Sequence, residues 1–253
     1  MGDNPNLQNA PGAIPRRVFA ELDSTNEEAR RLARQGEAGP VWLLGLRQTG
    51  GRGRRGREWT SPEGNLYATL LLRPGMGPGA AALYSFVACL AVADLLDRAA
   101  PGAEVALKWP NDALLNGGKV AGVLLESEGD GRAVHWLAVG IGVNLASAPP
   151  RAPDAAFPPI AAAEVAPPPS PEQALDILAE AWDRWDALYR AEGFAPIRAA
   201  FLARAARIGE IIEARLPQET IRGLFADLDE DGRLVLDTGE TRRRISAADV
   251  FFP

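Results

Sequence analysis

Two segments of the chain concentrate the side chains able to do chemistry. The first, QTGGRGRRGREWTSPEGNLY from Gln48 to Tyr67, sets Arg52, Arg54, Arg55 and Arg57 among glycines. Glycine lets backbone approach a ligand closely, and guanidinium groups offer paired donors to phosphate or carboxylate. The second, KWPNDALLNGGKVAGVLLE from Lys108 to Glu126, gathers Lys108, Asn111, Asp112 and Lys119 around a turn and a hairpin. Asp112 is a candidate oxygen ligand for magnesium, and a lysine can stabilise charge building on a phosphate or carboxylate oxygen. Of 27 Lys plus Arg, Lys108 and Lys119 are the lysines, which suggests positions that need a compact ammonium in place of a planar fork. Together the segments read as nucleotide chemistry without a Walker loop.

Gly51, Gly53 and Gly56 satisfy the spacing G-x-G-x-x-G, so a dinucleotide fingerprint has to be tested. It fails on context. That fingerprint opens a helix at once and is followed about 20 residues on by an acidic residue. Here Pro62 and Gly64 interrupt the chain, and the later region reads LLLRP. A small anionic ligand fits the arginines better.

Composition removes other chemistries. The single Cys89, in YSFVACLAVADLL, and the single His135, between Val134 and Trp136, exclude an internal disulfide, Cys-rich metal sites and multi-histidine centres, and both read as structural. A net charge of −6 argues against a broad nucleic-acid surface. No apolar run is expected to reach the roughly 18 residues of a membrane span. Residues 1–17 have no apolar signal core and read as a flexible arm on a cytoplasmic protein.

The elements that must position these groups follow from periodicity and punctuation. A helix is expected near Glu27 to Arg34, with Ser24 and Glu27 as a capping box. Val41–Gln48 and Asn65–Leu72 read as strands, and Ala80–Ala100 as a buried apolar helix. A strand in EVALKWP precedes two apolar runs joined at Asn116-Gly117-Gly118, a hairpin signal, and AVHWLAVGIGVNL is a longer strand. Residues 146–171 are proline-rich and read as a loop. Ser170-Pro171-Glu172-Gln173 then opens a helix whose Leu178, Ala181, Trp182, Trp185, Leu188 and Tyr189 form a core stripe, with a second helix over Ile197–Arg207. The last 45 or so residues read as a small β-barrel or sheet.

GRGRRGREWTSPEGNLY, KWPND, GGKVAGVLLE and IGVNL, in this order, resemble the biotin protein ligase family, from Asp23 to Leu145, and GRLVLD and ISAADV more weakly resemble its C-terminal domain. The resemblance implies an α+β fold: a mixed-sheet catalytic domain of the biotin/lipoate ligase type over residues 18–207, and a small SH3-like β domain over 208–253. The residues before Asp23 leave no room for the family's DNA-binding helix-turn-helix, so no DNA partner is expected, nor a membrane. Ala248 stands where the family often has glycine.

The resemblance also implies roles. Ser24, Thr25, Asn26 and Gln48 match biotin-contacting positions. Arg52, Gly53 and Arg54 fall on the loop that closes over biotin and its adenylate, with Arg54 holding the reactive intermediate. Lys119 matches the lysine that binds the carboxylate and then the acyl phosphate. Arg52, Arg54, Arg55, Lys108, Asn111 and Asn144 are the expected ATP or adenylate contacts, and Asp112 the metal ligand. The implied activity is ATP- and Mg²⁺-dependent joining of biotin to AMP, then transfer to one lysine of a biotin carboxyl carrier protein, with homodimerisation left open. Two alternatives stay open on sequence grounds: a lipoate or octanoate ligase or transferase of the same fold, and a biotin-binding module without catalysis.

Overall fold

The computed structural model describes residues 13–151 and 157–252. The arm expected over residues 1–17 lies largely outside them, but Arg16 and Arg17 belong to β1 (Arg16–Phe19), which pairs in parallel with β2 (Val41–Gly45). Between these strands α1 (Thr25–Arg34) crosses over one face of the sheet. The run Val41-Trp42-Leu43-Leu44 is apolar without alternation because both its faces are covered: Val41 and Leu43 pack with Ala29, Leu32 and Ala33 of α1, while Trp42 and Leu44 point into the main core. β2 stops at Gly45, short of the expected Gln48.

β3 (Leu66–Leu72) follows, then α2 (Pro78–Ala82) and α3 (Tyr84–Ala99), separated by Leu83. The stretch Pro78–Ala99 is, against expectation, long and apolar enough to cross a membrane, but 72% of its most apolar window is buried as the core helix of this fold. β4 (Val105–Lys108), β5 (Asp112–Leu115), β6 (Gly118–Gly129) and β7 (Val134–Val143) complete a seven-stranded sheet in the order β1-β2-β3-β7-β6-β5-β4. Every pairing but β1–β2 is antiparallel. The β5–β6 hairpin forms at the expected residues, with Asn116 (φ 48°) and Gly117 (φ 79°) both left-handed.

The described part of the proline-rich stretch is a loop whose Pro158–Ile160 segment lies along this hairpin: Lys119 N–H donates to Pro158 O, and Ile160 N–H to Lys119 O. α4 (Pro171–Glu192) begins with the expected reciprocal cap, Gln173 N–H to Ser170 Oγ and Ser170 N–H to Gln173 Oε1. Its Trp182 stacks on Tyr84 and meets Trp42 edge-on in the core. α5 (Phe194–Ala203) ends earlier than expected because the chain from Arg204 to Ala206 turns to hydrogen-bond the free edge of β4 at Leu107. β8 (Ile211–Arg215), β9 (Thr220–Leu228), β10 (Leu234–Asp237), β11 (Arg242–Ile245) and β12 (Asp249–Phe251) form a second, antiparallel sheet ordered β11-β10-β9-β8-β12.

Candidate active site

A cavity of about 470 Å³ lies where the two sheets meet, walled by the start of α1, the arginine loop, the β5–β6 hairpin, the middle of β7, Phe157 and β12. Its first wall is a buried polar network. Thr25 N–H and Oγ1 reach Gln48 Oε1 at 2.9 and 3.2 Å, and Gln48 Nε2 donates to Ser61 Oγ at 2.9 Å. The Thr69 hydroxyl sits 2.8 Å from Thr25 Oγ1 and donates to Asn26 Oδ1 at 2.7 Å, while Asn26 Nδ2 donates to Glu126 Oε2 at 2.7 Å. A network with its members satisfied fixes orientation in a medium of low dielectric. Ser24 caps α1 by position, yet its side chain makes no capping bond, so the expected capping box is absent: Glu27 is drawn instead into ion pairs with Arg30 and Arg52. The buried Ser24 hydroxyl is thereby left to the cavity.

The glycine-rich segment closes on itself through Gly53 N–H to Arg57 O at 2.7 Å and Trp59 N–H to Gly51 O at 2.9 Å. Arg55 takes a left-handed φ of 57°. Its four arginines divide among three sets of partners. Arg52 lines the cavity but its guanidinium is held by Glu27 and Glu126. Arg54 turns inward and donates to Asn111 Oδ1 at 2.9 Å, and burial lowers its pKa against the pull of Asp112. Arg55, expected on the nucleotide, lies outside the cavity lining: the left-handed turn carries it away, and Asp249 of β12 captures it. Arg57 lines the cavity and also reaches Asp249, at 3.4 Å.

Asp112 stands between the two lysines. Lys119 Nζ is 2.7 Å from its Oδ1 and Lys108 Nζ 3.4 Å from its Oδ2. Burial alone would raise the Asp112 pKa, but the Lys119 and Lys108 ammoniums outweigh it and hold the carboxyl below its usual range. Lys108 is buried, which lowers its pKa, and lies 5.1 Å over the Phe157 ring; Lys119 is more open and lies 5.5 Å over Trp59. The expectation that Asp112 holds magnesium does not fit this donor set. Its oxygens face ammonium groups, and among the described residues no three His, Cys, Asp or Glu gather as a metal cluster. Asn144 is 2% exposed, with its Nδ2 on Ile160 O and its buried Oδ1 without a partner among the described residues, at the cavity wall.

Sequence reasoning missed several wall residues. Trp59 packs its ring over Gly122 and Gly142, which face each other across β6 and β7, and its buried indole N–H has no partner among the described residues. A Cβ on Gly142 would lie 2.7 Å from that nitrogen. Since Trp59 rides on a loop, Gly142→Ala is expected to move the ring and spare the strand, weakening ligand affinity about tenfold, as an overpacking cost of about 1–3 kcal/mol allows. Titration calorimetry should record the loss, with the melting temperature lowered by only about a few degrees. The glycine alternation in GIGVNL was the available signal. Phe157, Asp249 and Phe251 had none, being brought in from distant chain.

Comparison with known proteins agrees with this geometry. Residues 18–144 match the Biotin/lipoate A/B protein ligase family, and residues 208–252 the Biotin protein ligase C terminal domain. A biotin–[acetyl-CoA-carboxylase] ligase of Paracoccus denitrificans is 52% identical over 93% of this chain and 99% of that protein. A bifunctional ligase/repressor of Bacillus subtilis is 31% identical over 90% of this chain and 71% of its own length. The Aquifex aeolicus biotin protein ligase, solved in complex with biotin and ATP, superposes with a TM-score of 0.78 at 26% identity, covering 93% of this chain and 97% of that one. With both of its sheets matched and a relative similar from end to end, the chain belongs to the biotin protein ligase family.

Proposed function

We infer that the chain is an ATP-dependent biotin protein ligase, which forms biotinyl-5′-AMP with release of pyrophosphate and passes biotin to a lysine of a biotin carboxyl carrier protein. The observation that carries this reading is the shared cavity, in which a hydrogen-bonding wall from α1 faces Lys119 and the inward Arg54 across a volume fit for a small acid and a nucleotide. A carboxylate is a poor electrophile. Its attack on the α-phosphorus of ATP makes a mixed anhydride, and the acceptor amine then displaces AMP from the acyl carbon. Lys119 supports the first step by pairing with the incoming carboxylate and with charge on the phosphate. Arg54, preset by Asn111, supports the second by retaining the anhydride until the acceptor arrives.

Incubation with ATP, Mg²⁺ and either biotin or lipoate, followed by identification of the acyl-AMP, tests the reading. Biotinyl-AMP is the expected product; lipoyl-AMP alone, or tight biotin binding without ATP consumption, would overturn it. Arg54→Gly is expected still to form biotinyl-AMP but to release it early, so that bystander lysines are labelled. Intermediate release as slow as in the parent would remove Arg54 from the retaining role.

A further inference from the structure

We propose that Glu126 is a positioning residue for the ligase reaction, a single carboxylate that ties the ligand-facing turn of α1 to the arginine loop. The proposal rests on the ligase reading given above, but its geometry does not. Glu126 stands on β6, just outside the cavity lining. Its Oε2 accepts from Asn26 Nδ2 at 2.7 Å, and its Oε1 and Oε2 lie 3.2 and 3.3 Å from Arg52 Nη2. Glu27, from the first turn of α1, pairs with that same Arg52 nitrogen.

Two consequences follow from these contacts. First, Arg52 is satisfied by carboxylates and holds the loop down, leaving the phosphate-facing work to Arg54. The division explains why neighbouring arginines of one motif have opposite surroundings. Second, lifting the loop would leave Glu27 and Glu126, both within ion-pair reach of one nitrogen, without their shared cation. Arg30 still neutralises Glu27 in that state, so the cost falls chiefly on Glu126, and its pairing with Arg52 favours the closed loop. Asn26 is oriented by the same carboxylate, with its Oδ1 fixed by Thr69. Pocket order and loop closure therefore share one anchor.

Glu126→Gln separates charge from shape, since the amide oxygen can still accept from Asn26 while its attraction for Arg52 falls. In the ligand-free protein, backbone amides of residues 50–58 should exchange with deuterium about threefold faster or more, and biotinyl-AMP should leave at least about fivefold faster, the difference between a charge-assisted and a neutral hydrogen bond. Adenylation and release are read separately, and the larger loss should fall on release. Added salt should speed release more in the parent than in the variant, where only the Glu27–Arg52 pair remains to be screened. Glu126→Ala should add a rise in KM for biotin by freeing Asn26. Unchanged exchange and unchanged release in Glu126→Gln would overturn the proposal, as would a lowered melting temperature with neither effect. Failure of the parent to make biotinyl-AMP would overturn the ligase reading instead, and amide exchange alone would then decide the role of Glu126.

Discussion

Asp112→Asn is expected to cost about 3–5 kcal/mol of folding stability, the penalty for leaving a buried charge without its partner. Lys108 is 8% exposed and Asp112 is 7% exposed, so little water reaches the ammonium when the carboxylate is lost. Phe157, 5.1 Å from the Lys108 ammonium, offers only the face of a ring. Urea unfolding gives the measurement, and adding Lys108→Met to Asp112→Asn should recover most of the loss, because the second charge then goes too. The pH dependence has a definite sign. The folded-state pKa of Asp112 is depressed, so its contribution is fully present above the unfolded carboxylate value of about 3.9 and is lost as pH falls through the lower folded value. The variant should therefore show a flatter acid limb than the parent. Equal stability of the two proteins would mean that the pair contributes nothing.

Lys119→Arg is expected to lower biotinyl-AMP formation by about 10²–10³-fold, the usual loss when a donor aimed at developing charge is removed or misplaced. The Lys119 ammonium is placed by Asp112, 2.7 Å away, and lies 5.5 Å over the Trp59 ring. A guanidinium keeps the charge but not the shape. Transfer from separately supplied biotinyl-AMP should suffer less, since that step needs chiefly a bound intermediate and an incoming amine. Single-turnover assays of the two half-reactions separate the outcomes. Unchanged adenylation would remove Lys119 from the chemistry, and equal loss in both steps would make it a support for the hairpin.

Local chemistry made much of this site readable from sequence. The Asn116-Gly117 turn, the Ser170 cap and the arginine-glycine loop each rest on residues a few positions apart, and each is found at the expected residues. Where a local motif competed with a distant partner, the partner won. Glu27 has the spacing of a capping residue, but an arginine from the loop takes it, and Ser24 faces the cavity. Arg55 belongs to the same motif as Arg54 yet is captured by Asp249, 194 residues along the chain. Such pairings leave no periodic trace. Trp59 was visible but could not be placed, because its contact surface is made of glycines on two strands that only the sheet register brings opposite each other. The expected magnesium role of Asp112 meets a related obstacle. A carboxylate in sequence looks available, whereas the fold had already given it two cations.

The position of β12 carries a consequence for thermal unfolding. Ala248, Val250 and Phe251 line the cavity, so a ligand seated there is gripped by the small sheet as well as the large one. Occupancy must then raise the free energy of melting the small sheet by RT ln(1 + [L]/Kd), about 2.7 kcal/mol at a hundredfold excess over Kd. The C-terminal unit thus becomes a thermometer for the pocket. Without ligand, it is held to the rest by its share of the common core and by contacts such as Trp109 Nε1 to Gly232 O and Arg198 Nε to Leu228 O, and its amides should exchange by opening of lower free energy than with ligand bound. With adenylate bound, opening it also breaks the pocket, and the two sheets should lose their protection together.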